Sequence, residues 1–307
     1  MPHLEGLHHV TAITGDAPRN VDFYVRLLGL RMVKKTVNFD QPDVYHLYYG
    51  DEQATPGSLL TFFEYPGARP GRAGAGMVHT VQYRVASAAA LEFWAARLQR
   101  EGVAAEHLGD RLRLADPEGL VSELVVAEVP DRPLAGEAPD IPAEHAILGF
   151  HGVRAYAARP DAGAPLLEAL GFERAGEAWE LRGVARGATL AYDAPPAERG
   201  IPGGGTVHHV AWSAADDPEL DAWRAVVARA GGQPTPIIDR QYFHSVYFRE
   251  PSGVLFELAT RDRGFTVDEP LETLGRSLVL PPQHEHLRPL LEQRLTPLPD
   301  PRPTQPA

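Results

Sequence analysis

Apolar and polar residues along this chain repeat one arrangement four times. Each copy opens on a short apolar strand that carries a histidine, continues with apolar residues at helical spacing, and closes on strands rich in branched or aromatic residues. The first copy runs GLHHVTAIT, NVDFYVRLLGL, VYHLYYG and SLLTFFEY. The second runs MVHTVQYRV, AAALEFWAARLQREG and DRLRLADPEGLVSELVV. The third has GFHGVRAYA, APLLEALGF and ATLAYDAP, and the fourth TVHHVAWSA, ELDAWRAVVARAGG and YFHSVYFREPSGVLFELAT. Turn formers, YPGARPGRAGAG and APPAERGIPGGG, separate first from second and third from fourth. The longer VPDRPLAGEAPDIPAEH joins the two halves, so the expected organisation is one module pair over 1–142, a second over 143–266, and a Pro-rich tail over 267–307. Strand, helix and three strands, repeated, make an α+β fold of four βαβββ modules, paired into two domains with half-closed sheets. The tail holds one short amphipathic stretch, LRPLLEQRL, and is expected to be packed or partly mobile.

Composition narrows the chemistry. The 307 residues are 44% hydrophobic and 8% aromatic, as in ordinary globular proteins. A net charge of -12 disfavours nucleic acid and anionic membranes as partners, since phosphate binding needs a basic surface. No apolar run is long enough for a membrane helix, and the start, MPHLEGLHHV, lacks the basic-then-apolar pattern of a secretory signal; a cytoplasmic location is expected. There is no cysteine, which excludes disulfides, thiolate ligands and thiol nucleophiles. A metal would be held by His, Asp or Glu, a donor set suited to Fe(II), Mn(II), Zn(II) or Ni(II).

Aligned on their opening strands, the copies show two kinds of histidine. His8, His79, His151 and His208 share one position, filled in all four. His9 and His209 hold the next, where the second and third copies have Thr80 and Gly152. Successive strand residues face opposite sides of a sheet, so the position filled in every copy reads as structural and the one filled twice reads as a site. The closing strand of the fourth copy adds Glu257, where the first copy has Thr61. Two imidazoles and one carboxylate on one face of an ion leave about three coordination positions open, the arrangement of non-haem Fe(II) oxygenases. Glu123 shares the repeat position of Glu257, but its own copy has Thr80 in place of a ligand histidine, so it reads as structural. Tyr45 and His244 also draw notice, and His46, which has no matching partner in the fourth copy, reads as a packing or outer residue rather than a ligand.

The stretches LHHVT, YHLYYGDEQATPG, IPAEHAILGFH, VHHVAW and VYFREPSGVLFELAT resemble the vicinal-oxygen-chelate (glyoxalase and extradiol dioxygenase) superfamily, and within it the ring-cleaving dioxygenases that act on hydroquinones. The resemblance covers about residues 5–265. It implies the vicinal-oxygen-chelate fold, an Fe(II) cofactor (Mn(II) being the alternative) held by His9, His209 and Glu257, and a role in aromatic compound catabolism. It also implies that Tyr247, Arg240, His8, Thr11 and His208 surround the substrate, with His208 or Tyr247 taking the phenolic proton. The expected partners are a small aromatic substrate and O₂; homo-oligomer formation stays open. Two rival readings share the fold: a glyoxalase-type isomerase or thiol transferase, which needs a fourth ligand where Thr61 stands, and a non-catalytic binder of a small aromatic ligand.

Overall fold

The computed structural model describes residues 3–299. The four modules follow one another as the repeats require. The first is β1 (Leu7–Thr14), α1 (Ala17–Val21), β2 (Arg31–Asn38), β3 (Gln41–Gly50) and β4 (Leu59–Glu64). The second is β5 (Val78–Val85), α2 (Ala88–Arg100), β6 (Ala105–His107), β7 (Arg111–Ala115) and β8 (Val121–Val126). The third is β9 (Phe150–Tyr156), α3 (Ala164–Ala169), β10 (Glu173–Ala175), β11 (Ala178–Arg182) and β12 (Gly187–Asp193). The fourth is β13 (Val207–Ala214), α4 (Asp217–Arg229), β14 (Ile238–Asp239), β15 (His244–Arg249) and β16 (Leu255–Thr260).

Local chemistry starts and aims the helices. Ser87 accepts from the backbone N–H of Ala90 to begin α2, and Asp216 accepts from Glu219 to begin α4. Leu91, Trp94 and Leu98 recur at helical spacing on α2 and are buried. The first helix departs from its expected form. After Val21 it widens to a π-helix over Asp22–Leu27, which buries Phe23, Tyr24 and Leu27.

Two eight-stranded sheets result, ordered β14-β15-β16-β13-β1-β4-β3-β2 and β10-β11-β12-β9-β5-β8-β7-β6. Within each module the opening strand lies parallel to the last, as in Thr11 beside Thr61 and Ala211 beside Glu257. The pairing between modules differs from the sequential pairing expected over 1–142 and 143–266. The first module shares its sheet with the fourth through β1 and β13, and the second shares with the third through β5 and β9, both antiparallel. An opening strand offers a free edge to any equivalent edge, and hydrophobic patterning does not say which copy supplies it.

The glycine-rich stretches between modules meet one another. Arg72 and Ile201 exchange backbone hydrogen bonds at 2.8 and 2.7 Å, and a Cβ on Gly74 would fall 2.3 Å from the Gly200 nitrogen. Glycine there permits backbone to pass against backbone. The tail is packed over its described part. Buried Lys34 donates to Asp268 at 2.6 Å and Glu269 at 2.5 Å, Leu274 is buried, and α5 (Arg288–Arg294) buries Leu291. Positions 300–307 of the expected tail lie outside the described residues. Among the described residues, no helix is long and apolar enough to cross a membrane.

Candidate metal centre

The seam between β1 and β13 sets the site. Thr11 pairs with His209 across it, and Glu257 lies beside Ala211 on the flanking β16. Three side chains converge there. The Nε2 atoms of His9 and His209 stand 3.2 Å apart, and Glu257 Oε2 lies 3.1 Å from the first and 2.9 Å from the second. All three are buried, and they form the one cluster of His, Asp and Glu among the described residues with metal-holding geometry. Donors about 2.1 Å from a common ion and at right angles stand about 3.0 Å apart, as these do. Glu257 Oε2 is buried yet receives no well-formed hydrogen bond, although two ring nitrogens face it. A cation that draws three lone pairs together satisfies that atom, so the residues fit a divalent metal of the Fe(II), Mn(II) or Zn(II) type.

Each donor is braced from behind. Glu257 Oε1 accepts from Ser245, which precedes Tyr247 by two residues on β15. His9 Nδ1 meets His8 Nδ1 at 2.9 Å, and His8 Nε2 lies 3.0 Å from the carbonyl of Thr260. His209 Nδ1 meets His208 Nδ1 at 2.7 Å. One tautomer satisfies these contacts when Nε2 binds a metal: each ligand donates Nδ1–H to its neighbour's Nδ1, and His8 donates Nε2–H to the carbonyl. Burial pushes the pKa of His8 down to about 3, which keeps it neutral for that part. Burial alone would raise Glu257; the charge of His9 beside it wins and holds the carboxyl well below its ordinary range.

A cavity of about 270 Å³ opens above the three donors. Phe39, Phe63, Phe243 and Leu255 wall it, and Phe243 lies 5.1 Å from the rings of both His8 and His9. Arg240 reaches over the Tyr247 ring at 5.4 Å, donates to its hydroxyl at 3.3 Å, and pairs with Asp40 at 2.9 Å. Burial raises the Tyr247 phenol far above its ordinary value, so it stays protonated. All eight residues singled out from the sequence therefore collect at this seam. If His209 binds a metal through Nε2 and donates Nδ1–H to His208, the proton of His208 sits on its Nε2. Ser245, Phe243 and Asp40 were not singled out from the sequence. Ser245 shares a strand face with Tyr247, an alternation that marks it; Phe243 and Asp40 come from loops, where no period applies.

The second sheet shows what the same frame becomes without a site. Glu123 accepts from Gln82 at 2.9 Å and Arg113 at 3.0 Å and lies 3.4 Å from Arg111, so the two guanidinium groups offset its charge in place. At Gly152 a Cβ would fall 2.1 Å from Thr189 Oγ1, so no ligand side chain fits. His79 is tied to Asp193 at 2.9 Å and to Thr80 at 2.9 Å.

Residues 6–124 and 138–258 match the model of the Glyoxalase/Bleomycin resistance protein/Dioxygenase superfamily. The chain is 42% identical over 306 residues to a protein of Bacillus subtilis (strain 168) provisionally named ring-cleaving dioxygenase MhqO, covering 95% of this chain and 96% of that one. It is 34% identical over 314 residues to the chlorohydroquinone/hydroquinone 1,2-dioxygenase of Sphingobium indicum, covering 93% and 94%. A crystal structure from Bacillus subtilis, provisionally titled a dioxygenase, superposes with a TM-score of 0.90 at 40% identity over 97% of this chain and 99% of that one.

Proposed function

The chain belongs to the Glyoxalase/Bleomycin resistance protein/Dioxygenase superfamily, and we propose that it is a ring-cleaving dioxygenase, using O₂ and Fe(II) to open a dihydroxylated aromatic ring of hydroquinone type. The observation that carries the reading is a three-donor cluster with Thr61, not a carboxylate, at the repeat position of Glu257. A glyoxalase-type centre needs a fourth donor there, and a passive binder needs no donors. The names of the relatives at 42% and 34% identity support the same class.

In this reading His9, His209 and Glu257 hold the ion, which when bound supplies a Lewis-acid and redox centre with open positions for substrate and O₂. The protein does the rest by placement. The four apolar walls take the ring and exclude water from its faces. Tyr247, kept protonated and fixed by Arg240, donates a hydrogen bond to a substrate oxygen. Arg240 completes that corner with the cavity's cationic charge. His208 donates from Nε2, while His8 acts through His9 by fixing its tautomer. Mn(II) suits the same donors, so reloading with either ion separates them by activity.

The test is oxygen uptake. Protein stripped by a chelator and reloaded with Fe(II) without air is mixed with hydroquinone, chlorohydroquinone or catechol, then with O₂. We expect one O₂ consumed per ring lost, fastest with the hydroquinones, and none by the stripped protein. Loaded protein that consumes no O₂ with any diol, or one that instead isomerises a methylglyoxal–thiol adduct, overturns the proposal.

A further inference from the structure

Two turns from opposite ends of the chain meet at the cavity. One joins β2 to β3 and brings Phe39 and Asp40; the other joins β14 to β15 and brings Arg240 and Phe243. Among the described residues that line the cavity, Arg240 is the one lysine or arginine and Asp40 the one acid. Arg240 Nη1 donates to Asp40 at 2.9 Å while its Nε donates to Tyr247. The Arg240 side chain is 21% exposed and that of Asp40 73% exposed, so the acid stands at the mouth and the cation within.

Both turns are fastened, which makes the meeting more than a chance surface contact. Asn38 accepts from the backbone N–H of Asp40 at 3.0 Å. His284 Nε2 donates to the carbonyl of Phe39 at 3.0 Å, so the tail holds that turn from outside. In the other turn, Tyr242 N–H donates to the carbonyl of Arg240 at 2.7 Å, and Gln241 takes a φ of 64°, a left-handed conformation that a non-glycine residue adopts at a cost. The Gln241 side chain donates to Asp268 at 2.6 Å, a second hold from the tail. An exposed ion pair adds little stability, so the consequence of this one lies in the charge it leaves for a ligand.

That charge is none. Glu257 and one phenolate of a bound diol already balance a divalent ion, and Asp40 already balances Arg240. A ring that brought a carboxylate as well would find no uncommitted cation and would pass Asp40 to enter. We propose that Asp40 is a specificity-determining residue, which by holding Arg240 and presenting its own negative charge at the mouth selects uncharged aromatic diols over those carrying a carboxylate. This rests on the reading of the cavity as a diol site and adds to it the charge class of the substrate.

The test is anaerobic calorimetric titration of the full, metal-loaded protein, with metal content measured beside each variant. The probes are 2,5-dihydroxybenzamide and 2,5-dihydroxybenzoate, which share a shape and differ in charge, and the reading is the ratio of their dissociation constants. Wild type is expected to bind the amide at least about tenfold more tightly, and Asp40→Asn to shrink that preference at least about fivefold. Asp40→Glu, which keeps the charge, should stay within about twofold of the wild-type ratio. Adding Arg240→Gln to Asp40→Asn should remove most of the gain, since the released cation is then gone. A merely structural Asp40 would move both probes together and leave the ratio unchanged. Wild type that binds both probes equally, an Asp40→Asn ratio equal to wild type, or a gain fully kept without Arg240 overturns the proposal. Wild type that binds the amide but consumes no O₂ with hydroquinone overturns the dioxygenase reading alone, and the ratios still decide Asp40. Wild type that consumes O₂ with hydroquinone yet binds neither probe overturns the role of Asp40 and leaves the dioxygenase reading standing.

Discussion

The doubled histidines of β1 and β13 show how much one residue step decides. In each pair the second ring faces the cluster, and the first meets it Nδ1 to Nδ1, leaving Nε2 of the ligand free for an ion. Glu257 depends in the same way on Ser245. Glu257→Gln is expected to cut both metal content and activity at least about 100-fold, and Ser245→Ala to weaken metal affinity by about tenfold, since supporting groups contribute 10–100-fold. Competitive titration against a chromogenic chelator measures both, and wild-type affinity in either removes the role. A third histidine tests burial away from the site. His151 has a buried Nδ1 without a partner, and burial, with Arg84 next, lowers its pKa from 6.5 to about 4. The unfolded chain therefore binds the proton more readily, so stability is whole above about pH 6.5 and falls as pH drops toward 4. Between pH 7 and 5 this group should cost about 1–2 kcal/mol, a loss His151→Gln should lack. Urea unfolding at the two pH values gives the comparison; equal losses in both proteins would exclude it.

At the level of elements, strand register turns one repeated frame into two different interiors. The residue two beyond the ligand position always lies beside the closing-strand position, as Thr11 beside Thr61 and Gln82 beside Glu123. In the first sheet this brings donors together; in the second it brings Arg111, Arg113 and Gln82 onto the lone carboxylate. Glu123 is thereby held by its own strands, in keeping with a structural part. The tail depends on a similar pairing. Lys34 on β2 is wholly buried, and Asp268 and Glu269 from the segment after β16 reach it. Replacing both acids by amides should strand that charge and cost about 3–5 kcal/mol, whereas the same amide changes combined with Lys34→Met, which removes the whole group of charges, should recover most of that loss. Thermal or urea unfolding of the two variants checks the contrast, and similar losses in both would refute it.

For the whole molecule, the crossed pairing of modules is the governing fact. Both sheets contain strands from either side of the 129–145 connection, so the chain's two halves are interleaved. Fragments 1–142 and 143–307 produced separately should each expose β1, β5, β9 or β13 edges and fail to give cooperative unfolding, and should regain it when refolded together. Circular dichroism and size-exclusion chromatography read this; an independently folded half would refute it. The same crossing joins His9 to His209 and Glu257 in one cluster. Much of this was legible in the sequence. Hydrophobic period fixed strand, helix and repeat, because alternation and helical spacing are local properties of the backbone. Comparing copies separated the histidines found twice from those found four times, because unequal use of equal positions shows where one frame carries different chemistry. Which edges meet, and therefore which copies share a sheet, was decided only by the folded chain, since four similar edges satisfy the same pattern. So was the meeting of Gln82 with Glu123, because it depends on a contact between residues far apart in sequence, whose distance no periodicity encodes.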